Sequence, residues 1–315
     1  MLRNPSTSLL ITKTPQRFTG SYLVAVGASM WALDALFRSE LIGRYSVTFI
    51  VFISQMICLA AVLPILWVFR QELRGLSKKD WAVFSFISIA SNVLAMVAFT
   101  YAFSSTSNYS IPILIQKVQP FFAIFSAAVI LKERLPKNYV PLAVVAIAGS
   151  LMVAFGNTTE LSFHSRDVTA AGFALIAAIL WGLGTTAGRY VSVRHSFWLV
   201  TAVRYAIGAI LMLAAFPLWI GELGSASSQL AVDLPRFLGL ALIPGLLALF
   251  IYYRGMRVTK ASVACWLELF YPVTAVTVNW IFLGSRLNAI QICGCLILVA
   301  AVIVMNLADL KKTKK

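Results

Sequence analysis

The sequence predicts an all-α integral membrane protein, with ten transmembrane helices forming two inverted five-helix repeats. Three observations predict it. The 315 residues are 60% hydrophobic and 12% charged, with a mean hydropathy of +0.87. A soluble domain cannot hide so much apolar surface. The apolar residues fall in runs of bilayer-spanning length joined by short polar segments. One stretch also occurs twice: Ser110–Leu135, SIPILIQKVQPFFAIFSAAVILKERL, returns as Ser262–Leu287, SVACWLELFYPVTAVTVNWIFLGSRL.

Taken in order, the expected spans are Gly20–Phe37, Val47–Phe69, Trp81–Phe103, Tyr109–Leu131 and Tyr139–Phe155 in the first half. The second half repeats the pattern as Val168–Ala187, Phe197–Ile220, Phe237–Met256, Ala261–Leu283 and Ala289–Leu307. Residues 1–19 read as a cytoplasmic tail: Leu9-Leu10-Ile11 is too short for a signal-peptide core. Residues 20–156 are the first repeat, 157–167 an external linker, 168–308 the second repeat and 309–315 a basic cytoplasmic tail. The other long connection is expected at Gly221–Arg236.

The net charge of +15 forms no patch of the kind nucleic acid requires. With both termini inside, nineteen of the 26 Lys and Arg face the cytoplasm and five the other side, while Lys117 and Arg204 stay within the membrane. That asymmetry decides the orientation. The expected location is the plasma (bacterial inner) membrane, and the expected state a monomer or weak homodimer.

An offset of 152 lays Pro120 on Pro272, Arg134 on Arg286 and Gln116 on Glu268; Tyr101 falls on Tyr253, and Trp31 falls on Trp181 at 150. Five spans is an odd number, so the second half enters the membrane from the opposite side. Such halves are related by an axis in the membrane plane, with a cavity between them near the midplane. A proline and a polar residue inside corresponding spans point to a substrate site there.

The paired segments, with Lys132-Glu133-Arg134-Leu135 closing the first and Gly284-Ser285-Arg286-Leu287 the second, resemble the EamA modules of the drug/metabolite transporter superfamily. Ser285 stands where the family's ending carries glutamate. Val203-Arg204-Tyr205 resembles the family's Arg–aromatic pair at the start of helix 7. The resemblance covers nearly the whole chain and implies a secondary transporter of small organic metabolites. Amino-acid or related zwitterion and amine efflux is the family-weighted expectation. Import or exchange of a larger nucleoside-like metabolite is the alternative, and a membrane-embedded lipid enzyme a more distant one. Protons or a counter-substrate are the candidate coupling partners.

Asp34, Lys117, Arg204 and Glu268 are the ionisable groups expected within spans. At helical spacing Tyr109, Gln116 and Gln119 share a face of helix 4, as do Glu268 and Tyr271 on helix 9, with Trp266 on a neighbouring stripe. Asp34 stacks below Trp31 on helix 1, and Asn92 lies with Ser88 on helix 3. As a cavity wall, the carboxylates would meet an ammonium, Lys117 or Arg204 a carboxylate, and the aromatics an apolar body. The structural alternative pairs Asp34 with Lys117 and Arg204 with Glu268. Gly184-x-x-x-Gly188 reads as a helix-packing device.

No catalytic constellation is visible. His164 and His195 lie in loops, and H-E-x-x-H, G-x-S-x-G and G-x-x-x-x-G-K-[ST] are missing. Cys58, Cys265, Cys293 and Cys295 sit in apolar runs as packing residues. Neither a cofactor nor a metal is expected.

Overall fold

The structure, a computed structural model, describes residues 14–42, 44–105, 115–116, 118–133, 139–155, 165–282 and 288–312. No strand occurs among them. The first half comprises α1 (Thr14–Met30), a 3-10 turn (Trp31–Leu33), α2 (Asp34–Ile42), α3 (Val47–Val68) and α4 (Arg70–Arg74), then α5 (Lys78–Phe86), which passes through a π-helical segment (Ile87–Leu94) into α6 (Ala95–Ser104). After these come α7 (Gln119–Ile130) and α8 (Tyr139–Phe155). The second half comprises α9 (Ser165–Arg194), α10 (Phe197–Ala214) and α11 (Ile220–Leu240), a second π-helical segment (Ala241–Leu247), α12 (Ala248–Met256), α13 (Ala261–Leu267), α14 (Phe270–Phe282) and α15 (Ala289–Lys312).

Serine side chains set several starts by accepting the orphan backbone N–H groups of a first turn. Ser46 accepts from Phe49 N at 3.3 Å and Ser196 from Leu199 N at 3.2 Å. Ser77 and Asp80 form a reciprocal capping box that opens α5. Asn288 and Gln291 exchange equivalent bonds at the start of α15.

Among the described residues, seven helices are long and apolar enough to cross a membrane, and three more, Gln119–Ile130, Val140–Val153 and Ala289–Met305, are apolar but shorter. α1 packs on α12, α9 on both α6 and α7, α3 on α10, α7 on α13, and α8 on α15. Backbone approach sets the first contact: a Cβ on Gly27 would lie 2.8 Å from both Ala248 O and Tyr252 N. The largest buried core joins Val24, Phe84, Val203, Tyr253, Trp266 and Leu298, side chains drawn from both halves.

Several boundaries differ from expectation; the seventh expected span, Phe197–Ile220, leaves the α-helix at Ala214 for a 3-10 turn at Phe216–Trp219. Residues 221–236, expected as a connection, belong to α11, which runs on into the eighth expected span. The helix holds because Leu230, Asp233, Phe237 and Leu240, spaced three or four apart, turn inward while Val232 and Leu234 stay exposed. Asp233 is fully buried there. It receives Arg44 Nη1 at 2.5 Å, Arg236 Nη1 at 3.0 Å and Tyr45 Oη at 3.2 Å, so its charge is met in place. The sixth expected span ends at Ala187, but α9 continues to Arg194. The first is interrupted at Trp31–Leu33, just before Asp34.

Candidate functional site

The two repeated segments break where their prolines require it. Pro272 has no N–H to give the carbonyl of residue 268, four positions back. That carbonyl is taken by Tyr271 N at 3.0 Å, in a tight turn between α13 and α14. Around Pro120 the chain makes similar three-residue bonds, Val118 N to Ile115 O and Phe121 N to Val118 O. Glu268 therefore stands at the end of a short helical piece rather than on a continuous helical face.

The breaks bring the segments together. Glu268 Oε2 accepts from Gln119 Nε2 at 2.9 Å, and Gln119 Oε1 accepts from Gln116 Nε2 at 2.9 Å. Glu268 Oε1 accepts from Tyr252 Oη at 2.6 Å and Thr185 Oγ1 at 3.3 Å. The carboxylate thus rests on neutral donors from α7, α9 and α12. No cation among the described residues lies within 4.0 Å of it.

Two features position this cluster. A Cβ on Gly182 would lie 2.8 Å from Gln119 O, so α9 and α7 touch backbone to backbone beside the site. Glu133 follows Lys132, whose φ of 54° turns the chain out of α7. Its Oε1 accepts from Ala261 N at 3.0 Å. Its Oε2 accepts from Ser262 N at 3.0 Å and from Ser262 Oγ at 2.6 Å. The glutamate that closes the first repeated segment therefore caps the helix leading to Glu268.

Of the expected site residues, Gln116 and Glu268 come together through Gln119. Tyr109 and Lys117 lie outside the described residues. Arg204 makes no direct ion pair with Glu268: its Nη1 donates to Tyr253 Oη at 2.5 Å. Asp34 is held by Arg38 one turn along α2, with Nη2 to Oδ1 at 2.7 Å. Trp266 is 1% exposed, because α13 is enclosed on every side by α1, α7, α9 and α15. Tyr271 is 41% exposed. Asn92 sits in the π-helical segment, its amide towards α10. The Gly184 and Gly188 pair meets side chains, Ser91 and Tyr253, rather than backbone.

Sequence reasoning did not single out Thr185 or Tyr252 and read Glu133 only as part of the ending Lys132-Glu133-Arg134-Leu135; the signal for Gln119 was present in the face it shares with Gln116. Aromatic rings flank the cluster. Trp31 packs on Tyr252 at 5.2 Å between centroids and Trp181 on Phe99 at 5.1 Å, with Trp181 Nε1 bonded to Ser91 O. A separate groove of about 440 Å³ opens sideways between α1 and α14, lined by Tyr22, Val26, Met30, Leu33 and Phe270. Its apolar walls match lipid tails, and it holds none of the charged groups.

The sequence profile of the EamA-like transporter family matches residues 18–155 and 168–307. The chain belongs to the EamA-like transporter family. It is 26% identical over 290 residues to a riboflavin transporter, ImpX, of Fusobacterium nucleatum, covering 90% of this chain and 96% of that one. It is 25% identical over 203 residues to a probable terminal-alkyne amino-acid exporter of Streptantibioticus cattleyicolor, covering 64% of this chain and 65% of the relative. A crystal structure shares the fold at a TM-score of 0.74 and 17% identity, over 91% of this chain and 96% of the other. Family membership and these relatives identify a multi-pass membrane transporter of small metabolites rather than an enzyme.

Proposed function

We propose that the chain is a secondary carrier that exports an amino acid or a related zwitterion or amine by alternating access. Two inverted five-helix halves, ten spans in all, would rock about a site between them. Support for the repeat comes from paired packing. α3 meets α10, α7 meets α13 and α8 meets α15, while α1 and α9 exchange places against α12 and α6. The π-helical segments also recur near the offset of 152.

One observation carries the substrate class. Glu268 is a carboxylate between the halves, held by hydrogen bonds from neutral side chains, with no cation among the described residues within 4.0 Å of it. Buried charge is retained at membrane depth where it is paired or used. An ammonium supplied by the substrate meets that charge and brings a counter-charge in one step. Glu268, Gln116 and Gln119 are assigned to this contact. Trp31 and Trp181 offer apolar surface beside it, and Lys117 is a candidate for an anionic group.

A second reading is favoured by the coverage of the riboflavin transporter relative. A flat heteroaromatic metabolite would stack on the aromatic rings and bond edge-on to the glutamine amides and Glu268.

Counterflow in proteoliposomes, without ATP, separates the two. Amino acids and amines should drive exchange of a labelled amino acid and riboflavin should not. Exchange driven by riboflavin and unaffected by any amine would establish the second reading instead.

A further inference from the structure

A second polar cluster lies on the face of α10 turned to α3 and the first π-helical segment. Arg204 and Gly208 are one helical turn apart on that face. The space a Cβ would fill on Gly208 is 2.8 Å from Asn92 Nδ2 and 3.5 Å from Gln55 Oε1. Gln55 is itself 6% exposed. Gln55 Oε1, Asn92 Nδ2 and Arg204 Nε are all shielded from solvent, and each lacks a hydrogen-bond partner among the described residues.

Buried side-chain polar atoms are bonded in the large majority of cases, and an unmade bond destabilises the fold. Three such atoms around one helical face, where Gly208 lets the Asn92 amide come close against the helix, make a poor structural device. They make a good receptor. Two are donors, one of them cationic with a planar fork, and the third is an acceptor that can orient the Asn92 amide through its second N–H.

We propose that Arg204, Asn92 and Gln55 form a carboxylate subsite, which takes the anionic end of the substrate while Glu268 takes its ammonium. This rests on the reading of Glu268 as an amine site. Tyr252 and Tyr253, consecutive on α12, connect the two: the first donates to Glu268 and the second accepts from Arg204. A substrate with both charges then leaves neither group unmatched, and chains lacking one charge bind at one end only.

The test is thermal stability of the purified full chain with two pairs of matched probes. The carboxylate arm compares 3-phenylpropionate with 3-phenylpropionamide; the amine arm compares phenethylamine with 2-phenylethanol. The carboxylate should raise Tm where the amide does not. Arg204→Gln and Asn92→Leu should each weaken that response about tenfold or more, as expected for losing one charge-assisted or buried hydrogen bond. Asn92→Leu should hold or raise the Tm of the ligand-free protein, because it removes an unsatisfied buried group; it also decides the matter if Arg204→Gln does not fold. Equal responses to carboxylate and amide in the wild type would overturn the subsite. So would a lowered Tm in Asn92→Leu with carboxylate preference intact, which is the behaviour of a structural amide. Loss of the amine arm alone would overturn the reading of Glu268 and leave this subsite standing.

Discussion

Tyr252 and Tyr253 are neighbours in sequence, with ring centroids 5.5 Å apart, and they serve opposite charges. Tyr252 donates to the Glu268 carboxylate at 2.6 Å, and Tyr253 accepts from the Arg204 guanidinium at 2.5 Å. Side chains of consecutive helical residues project about 100° apart, so α12 can reach α13 with one ring and α10 with the next. The arrangement seats the carboxylate and the guanidinium on separate, adjacent tyrosine hydroxyls.

Glu268→Gln keeps the shape of the site and places there the residue type found at position 116. Folding should survive. Amine binding should weaken at least about tenfold, the effect of losing a charged contact worth about 1.5–3 kcal/mol. Isothermal titration with the exchange substrate measures it; unchanged affinity would assign Glu268 a purely structural role.

Tyr252→Phe removes the shortest bond to that carboxylate and leaves the ring packed on Trp31. A smaller loss of amine affinity than in Glu268→Gln is expected, because Thr185 and Gln119 still hold the carboxylate. A loss equal to that of Glu268→Gln would mean that the tyrosine hydroxyl itself contacts substrate.

Glu133→Ala deletes three bonds at the start of the helix that leads to Glu268. A lost cap costs about 0.5–2 kcal/mol. Tm should fall, and transport should fall with it because the Glu268 turn is displaced. Restoring Tm by a stabilising change elsewhere should not restore transport if the cap positions the site.

Lys132 adopts a left-handed backbone conformation that glycine enters without steric cost. Lys132→Gly should therefore leave stability unchanged or raise it by up to about 1 kcal/mol. The other copy of the segment already has Gly284 at this position. Thermal unfolding in detergent reads the sign.

Gly182→Ala places a methyl group 2.8 Å from Gln119 O. The helices α7 and α9 must separate, at a cost of about 1–3 kcal/mol, and Gln119 should be drawn off Glu268. Gly172, on the same helix, has nothing within 4 Å of its Cβ position. Gly172→Ala is the control, expected to be neutral or to stabilise by up to about 1 kcal/mol. Equal behaviour of the two variants in Tm and transport would refute the contact.

The sequence by itself determined that the chain is helical and membrane-embedded, that it is built from two matching halves, and that Gln116 and Glu268 are equivalent. Hydropathy, spacing and the paired prolines are local signals, legible within one span. Family membership rested on the same run of residues. What Glu268 touches was decided by tertiary structure alone. Gln119 lies 149 residues away in the chain and Thr185 lies 83 away, so no periodicity within a helix could name them. Helical-face reasoning also presumes an unbroken helix. Where Pro272 leaves the carbonyl of residue 268 to a tight turn, the helix is broken between Leu267 and Phe270, and the continuous face that Tyr271 was expected to share with Glu268 ceases to exist. Asp34 went to Arg38 and Arg204 to Tyr253 for a related reason: a charged side chain takes the partner within its reach, and reach is set by packing between segments.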